Sequence, residues 1–204
     1  MPKHYCAIAE RMRLLELEAK LPYIHNRVGF NYRMTEIQSV LGIHHLQRID
    51  TWNLKRRRSF GQFLNRELSR IPEVLFLPPH GNGKVENGFW VYPIVLDIDK
   101  LTCTVRQFVA ALNAEGVPCG PVFWPQSYKE KAYQEHRGFG RFNYPFGDPK
   151  ASKRSVNYKR VHCPNAAWLE ERTLVLYTLQ PVYTMKHMRL VVRAVWKCIK
   201  AFRK

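Results

Sequence analysis

The sequence has few acidic residues and no two cysteines at close spacing. It contains 16 Asp and Glu against 33 Lys and Arg, for a formal net charge of +17. This excess favours polyanionic partners such as nucleic acids, phosphorylated metabolites or acidic membranes. None of the five cysteines forms a C-x-x-C pair. This argues against a zinc knuckle or a disulfide scaffold and fits a reducing compartment such as the cytoplasm.

Other signals are missing as well. No run approaches the ~18 uncharged apolar residues that a membrane helix needs, and residues 1–13 lack the apolar core of a signal peptide, so no membrane partner is expected. No P-loop, Ser-His-Asp order or pair of catalytic carboxylates is visible, and no metal site is predicted. The chain of 204 residues contains 46% apolar and 13% aromatic residues. This length and composition are sufficient for a buried core.

The first third of the sequence has helical patterns. Residues 8–20 are rich in good helix formers. Thr35 and Gln38 have the spacing of a capping box and predict the start of a long helix, which a 3.6-residue period extends to Ile71, before Pro72. The apolar stripe in its first half drifts around the helix, which predicts packing against two neighbours. The stripe consists of Ile37, Val40, Leu41, Ile43, Leu46, Ile49 and Trp52.

After Pro72 the pattern changes to short strands mixed with helices. Thr104 and Thr184 each precede a helical pattern, and Pro93 inside a strand pattern predicts an edge strand or a bulge. Strands and helices do not alternate strictly, so we predict an α+β fold with a small, mostly antiparallel sheet and helices on one face. The predicted strands are residues 74–77, 89–96, 117–123 and 173–178.

One motif is specific. The string GFNYRMTEIQ at residues 29–38 is followed by LG at 41–42 and LQRID at 46–50. It resembles the G-Y-N-Y-R-M-x-E-[IL]-Q-A-A-x-G-x-x-Q-L-x-R-[LI]-D signature of the DegT/DnrJ/StrS-type aminotransferases. Weaker similarities follow in the family's order, so that the resemblance covers about residues 8–203.

This resemblance implies a pyridoxal-phosphate enzyme of fold type I that moves an amino group from glutamate or glutamine to a keto-sugar or keto-cyclitol. It also implies a homodimer. Residues 1–50 would be a remnant of the cofactor-binding large domain with a dimer-facing loop. Residues 51–72 would form a linking helix and residues 73–204 the C-terminal small domain, with the large domain largely absent.

Two departures from the family concern activity and substrate. The family's Schiff-base lysine lies ahead of the region that matches residues 8–15, and no lysine of this chain has the family context. We therefore predict no catalytic residue here and expect the chain to be inactive unless another polypeptide supplies the missing half, because such enzymes need that lysine. Tyr128 stands where many members place a histidine that faces the substrate, which leaves the substrate class open.

The resemblance also nominates site residues. Asn31 corresponds to an asparagine that reaches the cofactor phosphate of the other subunit, and a helix N-terminus just after it favours an anion; the alternative is a loop asparagine in a turn. Arg33 could grip a substrate phosphate or carboxylate or pair with Glu36. Tyr32 and Tyr128 could line a sugar pocket or be buried tyrosines that bond a backbone carbonyl.

The positive charge supports an alternative, a basic non-catalytic module that binds nucleic acid or another polyanion. The basic run at residues 55–58 could contact phosphates or form a solvated helix face. Residues 136–164 interleave aromatic with basic side chains, which suits single-stranded nucleic acid or a loop over a pocket for a nucleotide-linked sugar. A truncated product that exposes its apolar stripe and associates is a third possibility.

Overall fold

The computed structural model describes residues 34–122, 126–147 and 156–204. The chain divides into two units, residues 1–43 and residues 44–204. The helix predicted for residues 8–20 lies outside the described residues. The described α-helices are α1 (Glu36–Arg48), α2 (Lys55–Leu68), α3 (Val105–Ala114), α4 (Lys131–Gln134), α5 (Pro164–Arg172) and α6 (Met185–Phe202). Within the described residues, no helix is long and apolar enough to span a bilayer.

The predicted capping box at the start of α1 is confirmed. The Thr35 hydroxyl accepts from the Gln38 N–H at 3.3 Å, and the Gln38 side chain accepts from the Thr35 N–H at 3.0 Å. Between α1 and α2 the helical path continues as a π-helix, Ile49–Leu54, which the sequence analysis did not predict. The guanidinium of Arg48, the last residue of α1, lies 4.4 Å from the centre of the Trp52 ring in this π-helix.

The apolar stripe of α1 is exposed. Ile37 is 76% exposed and Leu46 is 70% exposed, and Val40, Leu41 and Ile43 are each more than half exposed. The expectation that this stripe packs against two neighbours is therefore not met within the part of the chain that the structure describes.

Four antiparallel strands form one sheet in the order β1-β2-β4-β3. The prediction of an α+β fold with a mostly antiparallel sheet is confirmed, although the strands are shorter than predicted because irregular backbone takes their ends. Their bounds are β1 (Val74–Phe76), β2 (Tyr92–Leu96), β3 (Cys119–Pro121) and β4 (Thr173–Leu176).

Pro93 lies in β2, which is a central strand, so the edge alternative is wrong. β1 pairs with Val95 and Leu96, and its register shifts between Val74 and Phe76. Pro93 is therefore not opposite any residue of β1. Its lack of an N–H consequently removes no hydrogen bond between β1 and β2. The register shift lies opposite Val95 and Leu96, whereas Pro93 pairs in regular register with Val175 of β4, so the bulge alternative is not met at Pro93 either.

The core lies between one face of the sheet and three helices. Leu64 of α2, Phe108 of α3 and Ile199 of α6 are fully buried with Ile94 and Leu176 of the sheet. Each buried side chain of this size contributes roughly 1.5–3 kcal/mol relative to an exposed one. This core therefore holds the C-terminal unit together.

A further helix covers the opposite face. Val95 and Val175 are also buried, and because side chains alternate along a strand they point away from the main core. The helix α5 contacts β2, and its Trp168 ring lies edge-on to Phe76, with 6.5 Å between ring centres. Helices thus lie on both faces of the sheet, and the expectation of helices on one face is wrong.

Candidate functional site

Of the predicted site residues, only Tyr128 is described. Asn31, Tyr32 and Arg33 lie outside the described residues, and so does any pairing of Arg33 with Glu36. Their roles stay predictions. The site can therefore be built from the structure only around Tyr128.

Tyr128 is held by hydrogen bonds from its own neighbourhood. It lies in a 3₁₀ turn, Ser127–Lys129, just before α4. The Gln134 side-chain amide at the end of α4 donates to the carbonyl oxygens of Tyr128 and of Tyr158. One amide group thus ties the Tyr128 turn to the chain segment around Tyr158.

The Tyr128 hydroxyl starts a polar chain. It donates to the Gln126 side-chain oxygen at 2.6 Å, and the Gln126 amide nitrogen donates to Glu170 Oε2 at 2.7 Å. Among the described residues, Glu170 Oε1 has no hydrogen-bond partner. A carboxylate oxygen and the lone pairs of a phenol are therefore left to accept from a ligand.

These groups line a cavity of about 670 Å³. This volume lies in the range of small-molecule sites, which combine apolar walls with a few fixed polar groups. Hydroxyl and carboxylate acceptors between aromatic rings suit a polyhydroxylated ligand such as a sugar. The lining includes Gln126, Tyr128, Tyr133, Tyr158, Cys163 and Glu170.

Aromatic contacts bring the basic loop to this cavity. The ring centres of Tyr133 and Tyr158 are 5.2 Å apart, and His136 stacks on Phe146 at the same distance. In contrast, Phe139 is 81% exposed. The aromatic residues of the loop thus divide into a packed group at the cavity and an exposed tip.

The basic run at the start of α2 has partners inside the chain. The Arg56 guanidinium donates to the Tyr183 carbonyl at 2.6 Å, Arg57 donates to Gln180 at 3.0 Å, and Arg58 pairs with Glu86 at 2.6 Å. These three side chains are partly buried. Arg56 and Arg57 thus tie α2 to the β4–α6 connection, and Arg58 ties it to the β1–β2 connection. The three arginines are therefore not a free phosphate-binding surface, whereas Lys55 is exposed to solvent.

Three buried cysteines, Cys103, Cys119 and Cys198, are not among the residues that line this cavity. Burial raises the pKa of the Cys119 thiol to about 11, and burial also raises the pKa of Cys103 and of Cys198. A raised thiol pKa disfavours the reactive thiolate. In residues 34–122, 126–147 and 156–204, no group of three or more His, Cys, Asp or Glu side chains could hold a metal ion.

Sequence reasoning missed part of this site. Gln126 and Glu170 are 44 positions apart, and no spacing rule relates them. Only Tyr128, through the family's histidine position, pointed to this place. Glu170 precedes β4 on α5, and its role follows from how α5 packs on the sheet.

Comparisons with known proteins agree with the family resemblance. The model of the DegT/DnrJ/EryC1/StrS aminotransferase family matches residues 6–146. The GDP-perosamine synthase of Caulobacter vibrioides is 35% identical over 121 residues, which is 58% of this chain and 32% of that protein. An uncharacterized protein of Methanocaldococcus jannaschii is 25% identical over 205 residues, which is 94% of this chain and 47% of that protein. The chain thus spans less than half the length of these relatives.

Solved structures with a similar fold also match this chain over less than half of their own length. An aminotransferase from Psychrobacter cryohalolentis has a TM-score of 0.69 at 20% identity, over 90% of this chain and 43% of that one. PseC of Helicobacter pylori, an aminotransferase involved in the biosynthesis of pseudoaminic acid, has a TM-score of 0.66 at 17% identity, over 95% of this chain and 46% of that one. Since the family model spans well over half of the residues, this chain belongs to the DegT/DnrJ/EryC1/StrS aminotransferase family, of whose members it covers a part.

Proposed function

We propose that this chain is the C-terminal portion of a pyridoxal-phosphate-dependent aminotransferase. The complete enzyme would move an amino group from glutamate or glutamine to a keto-sugar or keto-cyclitol in the cytoplasm. The observation that carries the proposal is the family match over residues 6–146, which contains the GFNYRMTEIQ string. The relatives named GDP-perosamine synthase, at 28–35% identity, support a sugar as the acceptor.

The start of α1 suits the phosphate of the cofactor. Its capping box uses the N–H groups of Thr35 and Gln38, which leaves the first-turn N–H groups of Glu36 and Ile37 without intrahelical partners. Such a terminus favours an anion, and Asn31 would add an amide donor from the adjoining loop, toward the cofactor of the other subunit of a homodimer. When bound, pyridoxal phosphate supplies the electron sink that amino transfer requires.

The exposed stripe of α1 is the surface on which the remainder of the enzyme would pack. It would belong to residues 1–50, the remnant of the large domain, with residues 51–72 as the linking helix and residues 73–204 as the small domain. The +17 charge would favour a phosphate-bearing substrate.

The Tyr128 cavity would form part of the substrate pocket of this enzyme. The Tyr128–Gln126–Glu170 chain offers acceptors for sugar hydroxyls. We propose Tyr32 and Arg33 as further substrate-binding residues of the enzyme, with Arg33 for a substrate phosphate or carboxylate. The packed aromatic group at Tyr133 and Tyr158 would exclude water from one wall.

A covalent-trapping experiment tests the proposal. The purified chain is incubated with pyridoxal phosphate and reduced with borohydride, and mass spectrometry then locates any lysine that carries the cofactor. The GDP-perosamine synthase of Caulobacter vibrioides, treated identically, is the positive control. We expect a labelled lysine in the control and none at stoichiometric yield in this chain. Stoichiometric labelling together with turnover of a keto-sugar by this chain would show that it is not a dependent portion.

A further inference from the structure

A second cavity of the C-terminal unit lies apart from the lining residues of the Tyr128 site. It is a groove of about 690 Å³ between α6 and the turn that joins α3 to β3, and it shares no lining residue with the Tyr128 cavity. The turn contributes Glu115 and Val117. The helix α6 contributes the charged, imidazole and indole side chains that line the groove, which are His187, Arg193, Trp196, Lys197 and Lys200.

The groove keeps a net positive charge after the charges that pair with each other inside it are subtracted. Lys197 Nζ donates to Glu115 Oε1 at 2.6 Å, so these two charges offset each other across the groove. Arg193 and Lys200 have no acidic partner in the described part of the chain. Two cations that no described carboxylate neutralises thus border a concave surface, which favours an anion.

A buried hydroxyl in the groove has no partner. Thr178 is 3% exposed and lines the cavity, and its Oγ1 has no hydrogen-bond partner among the described residues. Buried polar groups in folded proteins are hydrogen-bonded as a rule, so each exception requires an explanation. A ligand oxygen in the groove would satisfy this hydroxyl.

The capping interaction of α6 fixes a donor in the same groove. His187 Nδ1 accepts from the Thr184 N–H at 3.1 Å and lies 2.8 Å from the Thr184 hydroxyl. Because a backbone N–H can only donate, Nδ1 carries no proton, and the neutral His187 ring therefore carries its proton on Nε2. The second ring nitrogen of His187 is thus a hydrogen-bond donor.

We propose that this groove binds a small organic phosphate. Arg193 and Lys200 supply the charge for its phosphate, and the Thr178 hydroxyl and His187 Nε2–H supply neutral hydrogen bonds. The apolar part of the ligand packs on Trp196, which is partly buried in the groove wall. This site is separate from the proposed substrate pocket and does not depend on the proposed aminotransferase activity.

Isothermal titration of the full chain with phenyl phosphate tests the proposal. We expect binding that Arg193→Gln/Lys200→Gln weakens by about tenfold or more, as expected for the loss of two charge-assisted contacts. Arg189→Gln is the matched control, because Arg189 is exposed on the same helix but does not line the groove; it should leave the Kd within about twofold. Absence of phenyl phosphate binding would overturn the proposal, and so would an equal loss in the control variant or binding of phenol as tight as that of phenyl phosphate.

Thr178→Val supplies an independent test with a nearly isosteric side chain. Removing an unpartnered buried hydroxyl should raise the melting temperature of the ligand-free chain by a few degrees. If the hydroxyl binds the ligand, the same variant should weaken phenyl phosphate binding by about fivefold. A raised melting temperature with an unchanged Kd would remove Thr178 from the site and contradict the proposal.

Discussion

Two helices of this chain carry apolar stripes, and the chain buries only one of them. In α6, Met188, Val195 and Ile199 are buried against the sheet, whereas in α1 Ile37 and Leu46 are mostly exposed. Both sequences have apolar residues at helical spacing after a threonine cap, although the stripe of α1 drifts around its helix. The difference teaches that a periodic pattern identifies a surface that requires cover but does not identify what covers it.

The largest expected difference comes from truncating one isoleucine in each helix. Ile199→Ala should lower the free energy of unfolding by roughly 2–5 kcal/mol, because it opens a cavity in a closely packed core. Ile37→Ala should change it by less than about 0.5 kcal/mol, because the side chain is already in water. Guanidinium denaturation followed by circular dichroism measures both. Equal losses in the two variants would mean that the α1 stripe is buried in solution.

Self-association is the next test, because an exposed apolar stripe tends to find a partner. We expect the isolated chain to associate through α1, and Ile37→Glu/Leu41→Glu to weaken that association by about tenfold or more, since each such side chain contributes roughly 1.5–3 kcal/mol when buried. The control is Val182→Glu, which places the same charge at a single apolar residue that is 75% exposed elsewhere. Sedimentation velocity over a concentration series separates the cases. A wild-type chain that stays monomeric throughout would contradict this prediction.

A smaller loss of stability is expected when the ion pair between Arg203 and Glu73 in the C-terminal unit is removed. Arg203, just after α6, donates to both carboxylate oxygens of the buried Glu73, at 2.6 and 3.0 Å. These hydrogen bonds lower the pKa of Glu73 below its ordinary value of 4.5. Glu73→Gln should therefore destabilise the chain by roughly 1.5 kcal/mol at neutral pH, as expected for hydrogen bonds to a charged group.

The pH dependence of this pair has a definite sign. A carboxyl group with a lowered folded-state pKa stabilises the fold at pH above its unfolded value, and the stabilisation is lost as the pH falls through the folded-state pKa. The stability difference between wild type and Glu73→Gln should thus be constant from pH 7 to about 5 and shrink below pH 4.5. Urea denaturation at a series of pH values measures it. A difference that grows on acidification would exclude this role for Glu73.

Local signals in the sequence predicted local structure well. The Thr104–Gln107 capping box is present at the start of α3, and Gly116 ends that helical region at a φ of +81°, where a side chain would be strained. These features depend on residues within four positions of each other. The helical pattern predicted after Thr184 is likewise present as α6.

Features that depend on distant contacts were not predictable. The sequence analysis missed the central position of β2, because strand order is decided by packing over more than 70 residues. For the basic run at residues 55–58 it offered phosphate contacts or a solvated helix face, because nothing local indicates that Tyr183 and Gln180 accept from Arg56 and Arg57. The Gln126–Glu170 hydrogen bond in the candidate site was missed for the same reason. Tyr128 was found only because a family pattern carries information that spacing does not.

The smallest effects are expected when the threonine of each capping box, Thr104 of α3 or Thr35 of α1, is replaced by alanine. Thr104→Ala should lower the free energy of global unfolding by about 1 kcal/mol, since α3 packs in the core and the cap satisfies an N–H of its first turn. Thr35→Ala removes the same hydrogen bond from α1, none of whose residues is buried. It should leave global unfolding unchanged and speed amide exchange in the first turn of α1 by about fivefold, because a helix end without packing opens locally. Hydrogen exchange with peptide resolution measures this, together with denaturation. A global loss in Thr35→Ala as large as that in Thr104→Ala would mean that α1 unfolds together with the C-terminal unit, and the contrast between the two helices would then disappear.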